Sequence, residues 1–369
     1  MKVILLQSNI AKVLGATSRI VGARTTLPVL SNIHIKAEKG KIKFSATDLE
    51  VGVTTQTIGK VEEEGEITLP ARLLSDFVLN NKDESIEIIT TGTAAELKSS
   101  HFEAKIQGIA AEEFPTIPEA PKTEPVVINK NLFIESLKKV AVAPATDETR
   151  PVLAGIYFSV KEDELILAAT DSYRLAEKKI KLAAKFAQHH MIIPGRTMTE
   201  VLRILASTEH AEEVKILSSD SQVSFLIGDT HITSRLIEGT YPNYQAIIPN
   251  SSKIKATVKL AELASAVKMS SLFAKDTANN NIKVVVGEKG ISILSAASQA
   301  GSARSEIEAE VSGGVLEISF NARYILDFLA VAGDDQIVLG FNDNASAGVF
   351  KGKKDEDYTY IIMPLKLES

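Results

Sequence analysis

The sequence predicts an α+β protein of three homologous domains, each with two helices lying on antiparallel sheet. Three observations carry this. A set of markers recurs at a near-constant step, short stretches of helical periodicity fall at corresponding places in each repeat, and the runs between them are rich in β-branched and aromatic residues.

The repeat is read from three independent markers. Phe44-Ser-Ala-Thr47-Asp48 returns as Leu167-Ala-Ala-Thr170-Asp171 and, without its Thr-Asp pair, as Leu294-Ser-Ala-Ala297-Ser298, at steps of 123 and 127 residues. Pro70-Ala-Arg72 returns as Pro194-Gly-Arg196 and Asn321-Ala-Arg323, at steps of 124 and 127. Phe114-Pro115 returns once, as Tyr241-Pro242, after 127. Prolines 115, 118, 121 and 125 punctuate one junction, and Pro242, Pro249 and Asn250-Ser251-Ser252 punctuate the next. The expected domains are therefore 1–120, 121–249 and 250–369.

Within the repeats, Ile10, Val13, Leu14, Ile20 and Val21 hold helical spacing up to Gly22, and Met198, Val201, Leu202 and Leu205 hold it in the fourth helix. Ser85-Ile-Glu-Ile-Ile89 and Val223-Ser-Phe-Leu-Ile227 have strand composition. A two-layer arrangement, helices on antiparallel sheet, follows for each repeat.

The chain has 369 residues, enough for two or three domains that each bury a core. It contains no cysteine, which removes disulfides, thiolate metal sites and cysteine nucleophiles and is compatible with a reducing compartment. The apolar start Met1–Leu6 is too short for a secretory signal and no stretch reaches membrane-spanning length, so the expectation is a soluble cytoplasmic protein without a membrane partner. No cofactor is expected. His34, His101, His189, His190, His210 and His231 show no metal-ligand spacing, and no metal site is expected. Phosphate-loop, nucleophile-elbow and dinucleotide glycine motifs are also missing, so an enzyme reading has no constellation to stand on. Asp48 and Asp171 read as turn residues, not as an acid and base pair.

A net charge of −6 argues against a polyanion partner until the charge is located. Six helix windows, 7–22, 70–82, 129–142, 194–206, 259–272 and 320–331, together carry +7 and leave −13 for the rest. In the first, Ser8, Lys12, Gly15 and Arg19 lie opposite the apolar stripe. Arg72, Arg196 and Arg323 share one repeat position, which suits a face for phosphates.

Five segments in order, Thr26-Leu-Pro-Val-Leu-Ser-Asn-Ile33, Glu113-Phe-Pro-Thr-Ile-Pro118, Ala169-Thr-Asp-Ser-Tyr-Arg-Leu-Ala176, Gly239-Thr-Tyr-Pro-Asn-Tyr244 and Ile362-Met-Pro-Leu-Lys-Leu367, resemble the bacterial sliding clamp family along the entire chain. The resemblance implies clamp-type domains, a head-to-tail homodimeric ring with helices lining the hole, and a non-catalytic accessory role to a DNA polymerase holoenzyme. Its implied partners are duplex DNA without sequence preference, the replicative polymerase catalytic subunit, an ATP-dependent clamp loader and other proteins carrying short clamp-binding motifs. Geometry favours the dimer: six helices about 10 Å wide close around a hole of only about 9 Å, whereas twelve leave about 28 Å, enough for a duplex.

The resemblance also assigns residues. Arg24, Arg72, Arg150 and Arg196 match positions facing DNA. An apolar peptide pocket would be formed by Leu153, Thr170, Arg174, Leu175, Pro242 and Ile247 with Asn321, Tyr324, Ile361, Met363, Pro364 and Leu365. Ser172 and Tyr173 stand where several relatives have Gly and His, Pro151 and Val152 where some carry an aromatic pair, and Glu368 and Ser369 extend past the usual last leucine, toward the pocket rim. For the subunit interface, Glu306, Glu308 and Glu310 alternate on one candidate edge strand and Lys98, His101 and Lys105 on another, with Leu272 and Phe273 as an apolar anchor. The alternative to a clamp is a three-domain scaffold that binds no DNA, and the basic helices speak against it.

Overall fold

A computed structural model describes residues 1–22, 27–38, 40–147, 149–274, 278–295 and 301–365. Arg24, Thr26, Ala297, Ser298, Leu367, Glu368 and Ser369 lie outside these. Among the described residues there are six α-helices: α1 Gln7–Thr17, α2 Ala71–Asn80, α3 Lys130–Val140, α4 Gly195–Ser207, α5 Leu260–Ala274 and α6 Ala322–Leu329. Each begins in one of the six windows read from the sequence, and α4 and α5 run one and two residues past the ends of theirs. All strand pairings between named strands are antiparallel.

The chain forms two compact units, residues 1–131 with 199–236, and residues 132–198 with 237–369, so the middle repeat contributes to both. The first unit holds a five-stranded and an eight-stranded sheet, and the second holds a seven-stranded and a four-stranded one. In the first unit α1 buries Ile10, Val13 and Leu14, and α2 buries Leu74 and Val78, in one core with Ile33, Ile35, Phe44, Ile86 and Ile88 of the strands. The Gln7 side-chain amide donates to the Val78 carbonyl at 2.8 Å and ties the start of α1 to α2.

The repeat is visible in backbone hydrogen bonds. The Ile109 amide donates to the Thr68 carbonyl, the Ile237 amide to Ile192 and the Leu365 amide to Ser319. Each of these carbonyls lies on the strand that leads into the second helix of its repeat. Those helices place Arg72, Arg196 and Arg323 at their second position, all exposed.

Two helix readings are corrected. The first helix ends at Thr17 and not near Gly22: the Thr17 hydroxyl turns back to the Val13 carbonyl at 2.8 Å, Ile20 donates to Thr17, and Ile20 is buried from a turn. In α4 the fully buried stripe is Met198, Val201, Ile204 and Leu205, with Leu202 half-buried. The helices as formed carry +4, because Arg19, Lys82 and Lys259 lie just outside them.

Candidate functional site

The basic face is more ordered than a charge sum suggests. Each of the six helices carries one exposed Lys or Arg: Lys12, Arg72, Lys138, Arg196, Lys268 and Arg323. The other basic residues of the helices are engaged internally. Lys130 Nζ donates to the Thr208 carbonyl at 2.8 Å, Lys139 pairs with Asp355, and Arg203 donates to the Gly15 and Ala16 carbonyls and to Glu200. Ser8, Lys12, Gly15 and Arg19 are all exposed, as their spacing predicts, although Arg19 stands beyond the end of α1. Of the residues expected to face DNA, Arg72 is almost fully exposed, Arg196 is exposed, and Arg24 lies outside the described residues. Arg150 is exposed, and its Nη1 donates to Ser172 Oγ at 3.1 Å, on the turn that carries Arg174.

That turn explains the repeated Thr-Asp pair. Thr170 Oγ1 donates to the Arg174 carbonyl at 2.6 Å and accepts from the Ser172 amide, while Asp171 Oδ1 accepts from the amides of Tyr173 and Arg174. Thr47 and Asp48 make the same bonds to Val51, Leu49 and Glu50. In both turns the residue after Asp has a positive φ, 79° at Ser172 and 77° at Leu49, a conformation disfavoured for side chains and held here by the surrounding bonds. The two aspartates are spent on turns, as the sequence suggests.

Most of the expected pocket residues are brought to one region of the second unit. Leu175 and Ile361 are paired across neighbouring strands and lie with Ala168, Ile192, Tyr241, Tyr244 and Ala347 in one apolar cluster. Val152 and Met363 pack against it, half-buried. The Met363 amide donates to the Tyr173 carbonyl at 2.8 Å, which fixes the last segment beside the turn. Leu153 is buried, whereas Pro242, Ile247 and Tyr173 are exposed and Tyr324, Pro364 and Leu365 are half-buried. These accessible side chains around a buried aliphatic floor give a surface for an apolar anchor.

Three polar residues expected at the pocket have structural tasks. Thr170 holds the turn. Asn321 caps α6 by accepting from the Arg323 amide at 2.9 Å. Arg174 is 9% exposed, so it is not a free rim group: Nε pairs with Asp171 at 3.1 Å, Nη1 with Asp327 of α6, and the guanidinium lies 4.5 Å from the centre of the Tyr324 ring. Burial alone would lower its pKa, but the Tyr360 hydroxyl, Asp327 and Asp171 outweigh that and raise it.

Sequence reasoning gave no role to the aromatic group beneath the site. Tyr157 stacks on Tyr241 with centroids 5.0 Å apart, and Tyr244 meets both rings edge-on. The Tyr244 hydroxyl donates to Glu177 at 2.8 Å. Burial, reinforced by the Glu177 charge, raises its pKa well above the ordinary phenol value. The quoted Tyr241-Pro-Asn-Tyr244 segment was the available signal, whereas Ala347 had none.

The candidate interface residues sort differently from expectation. Lys105 lies on Glu103–Gln107, an edge strand of the five-stranded sheet, and Glu306 and Glu308 on Arg304–Glu308, an edge strand of the four-stranded one. Lys98 ends the inner strand Ala94–Lys98 and pairs with Glu96 and Glu103, and His101 sits in the following turn against Asp83. Glu310 belongs to another strand, Glu310–Ser312, in the seven-stranded sheet. Leu272 is 54% exposed on α5 and Phe273 is half-buried.

Among the described residues no group of three His, Cys, Asp or Glu could hold a metal ion, and no helix is long and apolar enough to cross a membrane.

Comparison with known proteins matches all three repeats. Residues 1–118 match the DNA polymerase III beta subunit N-terminal domain, 127–243 its central domain and 245–366 its C-terminal domain. The beta sliding clamp of Staphylococcus aureus is 29% identical over 363 residues, 96% of each chain. The crystal structure of the DNA polymerase sliding clamp from Bacillus subtilis superposes with a TM-score of 0.95 at 28% identity, covering 100% of this chain and 99% of that one. A sliding clamp (DNA polymerase III subunit beta) from Pseudomonas aeruginosa bound to griselimycin gives 0.94 at 26% identity, with 100% of both chains covered. With its three domains matched in order along the chain and the whole chain superposing, the chain belongs to the DNA polymerase III beta subunit family, the bacterial sliding clamps.

Proposed function

We propose that two copies of this chain close head to tail into a ring around duplex DNA and hold the replicative polymerase and other replication or repair proteins on it. The protein is a non-catalytic processivity subunit. The observation that carries the reading is the single exposed Lys or Arg on each of six helices, in a chain whose net charge is −6. Twelve such helices leave a hole of about 28 Å. Contacts to phosphates fix no sequence and permit sliding, so persistence comes from topology. Arg24, Arg72, Arg150 and Arg196 are the proposed DNA contacts.

The ring joint is proposed between the first domain of one copy and the third of the other, through Lys98, Lys105, Glu306, Glu308, Leu272 and Phe273. One edge strand in each unit, Glu103–Gln107 with exposed Lys105 and Arg304–Glu308 with exposed Glu306 and Glu308, supports it. Short motifs with a Leu-Phe anchor are proposed to bind over Leu175, Ile361 and Met363. A closed ring needs an ATP-dependent loader, and the site of action is the cytoplasm. The full-length family match does not favour a scaffold that binds no DNA. Primer extension with the cognate polymerase and loader tests the reading: this protein lengthens the products of a single binding event, and unchanged product lengths would refute it.

A further inference from the structure

The turn and strand that build the peptide site occur twice in the chain. In the second unit Leu175 pairs with Ile361, and the Met363 amide donates to the Tyr173 carbonyl. In the first unit Gly52 pairs with Thr233, and the Arg235 amide donates to the Glu50 carbonyl. Each stands beside the same Thr-Asp turn. Gly52, Thr233 and Arg235 are therefore the repeat equivalents of Leu175, Ile361 and Met363. By the step from Phe114-Pro115 to Tyr241-Pro242, Ile117 corresponds to Tyr244.

A cleft is present at this place in the first unit. It holds about 130 Å³ and is lined by Thr47, Glu50, Gly52, Gln222, Thr233 and Arg235, together with the linker segment around Ile117. Its character is inverted. Three apolar wall positions have become Gly, Thr and Arg, and the linker supplies the apolar group instead. Ile117 Cγ2 stands 2.7 Å from where a Cβ on residue 52 would lie, closer than real Cβ contacts come, so only glycine admits the Ile117 side chain. In the other copy position 175 keeps its leucine and Tyr244 is held by Glu177.

We infer that the junction of the first and second repeats is a second copy of the peptide site which the chain blocks from within, with Ile117 as the plug. Each chain then takes one peptide and not two. This rests on the peptide reading above. Removing the plug and restoring the wall converts the first junction into a second peptide site.

The peptide Gln-Ala-Ala-Leu-Phe is the probe, counted by native mass spectrometry of the dimer and by calorimetry. The natural chain binds one peptide per chain, and the variant Gly52→Leu, Ile117→Ala, Thr233→Ile, Arg235→Met binds two. A natural chain that binds two, or a variant that melts cooperatively and still binds one, overturns the inference. A natural chain that binds none overturns the peptide reading itself, a distinguishable failure. A second measurement avoids the fourfold variant. Because the chain has no cysteine, Thr233→Cys places a single thiol in the cleft. Its maleimide labelling accelerates at least about tenfold when Ile117→Ala is added, while the buried control Ser270→Cys on α5 does not change. Equal rates at Thr233→Cys with and without Ile117 overturn the plug.

Discussion

Replacing Arg72, Arg196 and Arg323 together by Ala tests whether the exposed helical charges meet phosphate. Each stands at the second position of its helix, and the side chain of Arg72 is 95% exposed. The Arg323 contact that caps α6 uses its backbone amide, which the substitution keeps. Folding stability should therefore change by less than about 0.5 kcal/mol per site. A dimer loses six guanidinium groups. If half of them engage phosphate at once, and each contact contributes about 0.9 to the slope of log K against log salt, the slope becomes shallower by about 2.7. Between 50 and 200 mM salt the natural protein then loses about forty-fold more affinity than the variant does. Anisotropy of a labelled short linear duplex at several salt concentrations measures both slopes. Equal slopes, or a changed base preference, would refute the assignment.

Three further outcomes follow from named contacts. Ending the chain after Ile362 removes the Met363 and Leu365 backbone bonds and one wall of the apolar site, so a peptide bound near 1 μM, about −8 kcal/mol, weakens at least about 100-fold while the dimer persists; undiminished affinity in calorimetry would place the site elsewhere. Leu272→Ala with Phe273→Ala shifts the light-scattering mass toward one subunit, and an unchanged dimer mass would move the joint. Asp355 lies 2.5 Å from Lys139 Nζ and 2.6 Å from Lys178 Nζ, and although burial raises its pKa, the two ammonium groups outweigh this and hold it below the ordinary value. Its stabilisation is then complete above the ordinary carboxylate range, near pH 4, and is lost as pH falls below it, so the Tm gap between natural protein and Asp355→Asn narrows as the pH is lowered below that range; a constant gap would contradict the pairing.

The features legible in the sequence were those made by local chemistry. Thr-Asp turns, Pro-x-Arg helix starts and apolar stripes depend on neighbours a few residues away, so their repetition announced three domains and six helices. Features set by distant partners were not legible. Whether Lys139 is exposed depends on Asp355, more than 200 residues on, and Arg174 reads as a rim group until Asp327 and Tyr324 are seen beside it. Glu310 continues the alternation of Glu306 and Glu308 yet pairs into another sheet, because alternation fixes a face and not a partner strand. The apolar floor of the peptide site was half visible: Leu175 and Ile361 were named, but the tyrosines and Ala347 come together only through the fold.

Retention on DNA of two topologies tests the ring most directly. Protein loaded on nicked circular duplex and passed through gel filtration at high salt should remain with the DNA, and cutting the circle once should release it. Equal retention on circular and linear DNA would show binding by contact and not by encirclement, and would contradict the account.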